Sequence, residues 1–102
     1  ERDWREFKQV RVQLLERFCQ KTMDDLAKVA SSNEGTAHDR YMRAYKLLTT
    51  RDKELAHAFD DYRRSTAVTQ LMLMRRMKLL TDAELVRFTA QTQQIVRIAD
   101  GR

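Results

Sequence analysis

The chain has 102 residues, a net charge of +5, 42% apolar residues and 34% charged residues. That length suits one domain, and that balance favours amphipathic helices over a disordered segment or a membrane-spanning bundle. There is no proline, only Gly35 and Gly101 relax the backbone, and the single cysteine, Cys19, excludes an internal disulfide.

In chain order, Trp4, Phe7, Leu14, Leu15, Phe18, Thr22, Leu26 and Val29 recur at intervals that sum to threes and fours, so they share one face of a helix over about 3–31. Asp3 is expected to cap it, with Glu6 reaching back. The stretch Ser31-Ser32-Asn33-Glu34-Gly35 ends it, because short polar side chains compete for backbone hydrogen bonds and glycine accepts the left-handed cap.

A second helix restarts at Thr36, with Asp39 three residues on. Its apolar seam reads Tyr41, Tyr45, Leu48, Asp52, Leu55, Phe59 and Tyr62, alternating fours and threes as a helix does when one face meets a neighbour. Thr49 and Asp52 have capping-box spacing, but the seam keeps its phase past them, and one continuous helix over 36–80 is expected. The third helix, 82–99, has the clearest start: Thr81 and Glu84 form a capping box, and Leu80 and Leu85 stand at the positions of a hydrophobic staple. Leu85, Phe88, Thr92, Ile95 and Ala99 line its inner face, and Gly101 offers a stop.

These elements predict a single all-α domain over 1–102, an antiparallel helical hairpin with a long central helix and a shorter third helix folding back. Much of such a molecule is two helices thick and leaves apolar surface uncovered. The segment 67–80 is apolar on more than one side. Val68, Leu71, Met72, Leu73, Met74 and Met77 are therefore expected to form an interface with a second copy, a homodimer completing a bundle by two-fold symmetry. The rival arrangement folds the first helix onto this segment after a bend at Thr49.

Charge is uneven, and Arg63, Arg64, Arg75, Arg76 and Lys78 occupy a stretch without an acid. This face would attract an acidic protein partner or, as the alternative, nucleic-acid phosphates, although its charges are interleaved with apolar side chains and accompany no helix-turn-helix, zinc motif or stacking platform. Arg63-Arg64-Ser65-Thr66 has the look of a basophilic phosphorylation site, but pairing of Arg63 and Arg64 with Asp60 and Asp61 explains the same residues.

Glu54-Leu55-Ala56-His57 has the spacing that lets a carboxylate and an imidazole share one metal ion in di-metal helical bundles. Further carboxylates from other helices would be required, so an exposed helix face is the ordinary reading and no cofactor or metal is expected. Cys19 has no histidine nearby and reads as a small packed side chain. No grouping of nucleophile, base and orienting acid is present, and a non-enzymatic, self-associating interaction module is the expected function. The longest apolar run, Leu71-Met72-Leu73-Met74, cannot cross a bilayer, so the expected setting is the cytoplasm, away from membranes.

Overall fold

The computed structural model describes residues 2–100. Among them there are five α-helices, one short 3₁₀ turn and no strand, so the protein is all-α.

Helix α1, Arg2–Ser31, buries Phe7, Val10, Leu14, Phe18 and Thr22, a row spaced by threes and fours that forms one stripe. It stops where the sequence indicates. Gly35 takes the left-handed conformation at φ 72°, and the Ser32 hydroxyl accepts from the Glu34 amide at 3.1 Å. Helix α2, Ala37–Phe59, opens on a complete capping box: the Asp39 amide donates to Thr36 Oγ1 at 3.1 Å and the Thr36 amide to Asp39 Oδ2 at 2.9 Å.

The two helices run antiparallel. Arg51 reaches back to Thr22 and Asp25, while Phe59, eight residues further along α2, meets Phe18 with ring centroids 6.2 Å apart. The row of α2 turned toward α1 is Arg40, Ala44, Leu47, Arg51, Leu55 and Ala58, all half-buried or buried. It lies about 100° around the helix from the Tyr41, Tyr45, Leu48 seam, at 3.6 residues per turn. The seam expected to face the first helix therefore faces sideways along most of its length.

The expected continuous helix over 36–80 is not present, because α2 ends at Phe59. Asp60 and Asp61 add negative charge where the helix dipole is already negative. Local bonds then hold a corner: Arg63 grips the Asp61 carboxylate at 2.6 and 3.0 Å, and the Thr66 hydroxyl donates to the carbonyls of Asp61 at 2.8 Å and Arg63 at 3.1 Å. The apolar phase survives this corner because Tyr62 still lands on Trp4 and Phe7, at centroid distances of 5.5 and 6.3 Å. Thr49, the rival site for a bend, sits inside unbroken α2 and donates its hydroxyl to the Tyr45 carbonyl.

After the 3₁₀ turn Arg64–Thr66, helix α3, Ala67–Arg76, returns along α1. It closes in a Schellman motif, with the Leu79 amide on the Met74 carbonyl and the Lys78 amide on the Arg75 carbonyl, each at 2.9 Å. Lys78 occupies the left-handed position at φ 64°. The expected capping box at Thr81 and Glu84 is formed, and Leu80 and Leu85 are both buried.

The expected helix over 82–99 is in fact two: α4, Asp82–Leu85, and α5, Ala90–Asp100. Thr89 makes the second start, its hydroxyl accepting from the Thr92 amide at 3.4 Å. Asp3 does not cap its own helix. Its carboxylate accepts from the Thr89 amide at 2.8 Å, the Thr89 hydroxyl at 2.7 Å and the Thr92 hydroxyl, so it caps α5 from the far end of the chain. Glu6 is likewise engaged elsewhere, paired with Arg87 at 2.9 Å. The stop expected at Gly101 lies outside the described residues.

One continuous core gathers Phe7, Leu14 and Phe18 of α1, Phe59, Leu71 and Met74, and Leu80, Leu85, Phe88 and Val96. It fills the head of the molecule, where α1, α3, α4 and α5 meet. The remainder is a two-helix arm in which no residue from Met23 to His57 is buried. The elongated outline, 52 × 25 × 20 Å, follows from this division.

Candidate functional site

Two surfaces carry chemistry beyond what the fold consumes. The first is one side of the arm. Tyr41 and Tyr45 are 67% and 61% exposed, with Leu48, Met42 and, from α1, Met23 also well exposed. Below them a groove of about 190 Å³ runs between the helices, lined by Cys19, Met23, Leu48, Asp52 and Leu55 with Phe18 at its inner end. Its walls come from the turns of α1 and α2 that the α1 contact leaves aside. Cys19, expected to be packed, is exposed on this rim.

The second surface is a groove of about 370 Å³ where the arm joins the head. Phe18 and Lys21 of α1, Arg51, Glu54 and His57 of α2, and Leu73, Arg76 and Met77 at the end of α3 line it. The corner at Asp60–Arg63 creates it by folding α3 back against the hairpin. Arg51 is committed to Asp25 at 2.7 Å, to Thr22 at 3.2 Å and to Glu54 at 3.8 Å. Lys21 and Arg76 form no ion pair among the described residues.

Glu54 and His57, the candidate metal pair, thus share this groove with three cations, Lys21, Arg51 and Arg76, and no other carboxylate lines it. Among the described residues no three His, Cys, Asp or Glu side chains converge as a metal site requires. His38 stands exposed at the arm tip.

The expected basic face is scattered by the corner. Arg63 is held by Asp61, and Arg64 lies over the Trp4 ring at 5.7 Å. Arg75 donates to the Leu80 carbonyl at 2.7 Å and to the Asp82 carboxylate, bracing the turn into α4. That guanidinium holds the Asp82 carboxyl below its ordinary range. Arg76 lines the groove at the joint, and Lys78 is exposed at the left-handed position that ends α3. Acids outside the acid-free stretch, Asp61 and Asp82, pair with two of its five cations, Arg63 and Arg75.

The expected interface residues divide in the same way. Leu71 and Met74 are buried in the chain's own core and cannot meet a second copy. Met72 and Met77 pack half-buried against that core, as Val68 and Leu73 do in exposure. Segment 67–80 is apolar on several sides because α1, α2 and α5 all contact α3. The apolar surface left over lies on the arm, where Tyr41, Tyr45 and Leu48 of the seam are exposed and do not face α1.

Two carboxylates within the head are tuned by their surroundings. Burial works to raise the Glu84 carboxyl, but bidentate hydrogen bonds from Arg17 at 2.9 and 3.0 Å and the bonds from Thr81 outweigh it and leave it below the ordinary carboxylate value. Asp3 is alike: burial opposes, and the bonds from Thr92 and Thr89 prevail, so its carboxyl is lowered too. Both serve the fold and face no groove.

No described helix is long and apolar enough to cross a membrane. No protein-family model matches the chain, and no curated protein or solved structure matches it either.

Proposed function

We propose that this protein is a helical interaction module that self-associates through the exposed side of its arm, pairing two hairpins into a four-helix bundle. The observation that carries this reading is the row Met23, Tyr41, Tyr45 and Leu48, exposed along an arm that buries nothing of its own. Exposed apolar side chains scattered singly need no explanation, but a row at helical spacing is the seam of a helix pair lacking its partner.

A second copy suits the row because the row is self-complementary. With a two-fold axis through Leu48 and the arms antiparallel, Leu48 meets its own counterpart. Tyr45 of one copy then lies beside Asp52 of the other, the single charged residue of the seam. A phenol can donate to that carboxylate, so the polar members of the stripe find partners in the same arrangement that covers the apolar ones.

Size-exclusion chromatography with light scattering, run from micromolar to hundreds of micromolar protein, tests this. The expected result is a dimer that Leu48→Asp converts to a monomer of unchanged helical circular dichroism, since Leu48 is exposed within one chain. A wild-type monomer across the whole range overturns the reading.

A further inference from the structure

The groove at the joint of arm and head is chemically distinct from the arm's apolar side. Its floor is apolar, formed by Phe18, Leu73 and Met77, and its rim carries Lys21 on one wall and Arg76 on another. Glu54 supplies the single carboxylate, and it already leans on Arg51 at 3.8 Å. Arg51 is satisfied by Asp25 and Thr22. Two cations are thus left over an apolar floor, Lys21 on α1 and Arg76 at the end of α3.

We propose that this groove binds a short acidic protein segment, one that seats an apolar side chain between Phe18, Leu73 and Met77 while flanking carboxylates pair with Lys21 and Arg76. Charge complementarity selects this occupant. A nucleic acid needs a row of cations spaced along its phosphates, and the remaining arginines nearby are spent internally: Arg63 on Asp61, Arg75 on Asp82 and the Leu80 carbonyl. A segment of mixed character uses both parts of the groove. Its apolar anchor is desolvated on the floor, and its carboxylates displace only solvent from the rim. Arginine beside an apolar pocket is also a common anchor of protein interfaces. This proposal is tested apart from self-association, because Lys21, Glu54, His57 and Arg76 line this groove and not the tyrosine row, although Phe18 and Arg51 border both.

The test is an amide chemical-shift titration of the ¹⁵N-labelled full chain, in the Leu48→Asp background as well as the wild type, with the hexapeptide Asp-Glu-Leu-Phe-Glu-Asp. The amides of Lys21, Glu54, His57, Leu73 and Arg76 are expected to shift saturably, with a midpoint below about 1 mM that weakens with added salt. Arg76→Glu and Lys21→Glu should each raise that midpoint by about tenfold or more, and both residues are exposed enough to be replaced without unfolding. Leu73→Gln, judged by the same titration, tests the floor separately. Shifts absent up to about 5 mM, shifts confined to the arm, or a midpoint indifferent to Arg76→Glu would overturn the proposal. So would equal binding of the peptide with lysine at every acidic position. Stronger, Arg76-dependent binding of a 12-base-pair DNA duplex would assign the groove to nucleic acid instead. A dimeric wild type that ignores the peptide defeats this groove alone, and a monomer that binds it defeats the arm interface alone.

Discussion

Lys78 sits where a helix ending in a Schellman motif prefers glycine, with φ at 64° and the 2.9 Å bonds of the motif intact on either side. A lysine there works against its own Cβ, and removing the side chain removes the strain. Lys78→Gly is expected to stabilise the fold by about 0.5–1 kcal/mol in urea unfolding, an outcome opposite to that of glycine in a helix interior. Glu84 makes the contrary case. It completes the cap of α4 while gripping Arg17, itself bound to the Leu79 carbonyl, so one carboxylate ties the α3–α4 turn to α1. Its folded pKa and that of Asp3 are lowered. Their contribution is therefore complete above the unfolded value, near 4, and is lost as the pH falls through the lower folded values. Glu84→Gln is expected to cost about 2 kcal/mol at neutral pH, moderated by the partial exposure of Arg17, and to flatten the fall in stability below about pH 4. A denaturation series from pH 7 to about pH 2 measures both effects.

At the scale of elements the arm and the head differ in what holds them. In the head, five elements share one core and several buried caps, whereas α1 beyond Thr22 and α2 before Ala58 rest on half-buried contacts and the Arg51 cluster. In hydrogen exchange of the monomeric Leu48→Asp variant, amides of residues 40–55 should be protected at least about tenfold less than those of 68–74 and 92–96. Uniform protection would mean that the arm does not open as a unit. Which elements the sequence discloses follows the same division between local and distant causes. The ends of α1 and the starts of α2 and α4 are written in adjacent residues, Ser31 to Gly35, Thr36 with Asp39, and Thr81 with Glu84. The corner at Asp60–Arg63 is written there too, in the paired aspartates and in Ser65-Thr66, but the unbroken phase of Phe59 and Tyr62 masks it. The start of α5 at Thr89 depends on Asp3, whose partners lie 86 and 89 residues away, and no local pattern announces them. The exposed side of the arm is legible as a stripe, while its orientation depends on which row of α2 α1 takes. The groove at the joint exists only after the corner forms, so Lys21 and Arg76 are 55 residues apart in the chain with nothing local to link them.

The whole molecule is a lever with one anchored end. Its head closes on α1, whose first turns are bound to α5 through Asp3 and to the preceding turn through the Glu6–Arg87 pair. This closure sets an order on how the protein can be made. On a translating ribosome the arm is complete once residue 59 has emerged, since both of its helices and its turn are then present. The stripe of Phe7, Val10 and Leu14 is met early only by Tyr62 on Phe7, for its core neighbours Leu85, Phe88 and Val96 are synthesised some 80 residues later. Until that stretch has been made, the nascent chain carries much of its apolar surface uncovered beside an arm already formed. The stretch that shelters it is synthesised well after the arm, so a chain truncated before Thr89 should display a chaperone-binding face that a chain reaching through α5 conceals.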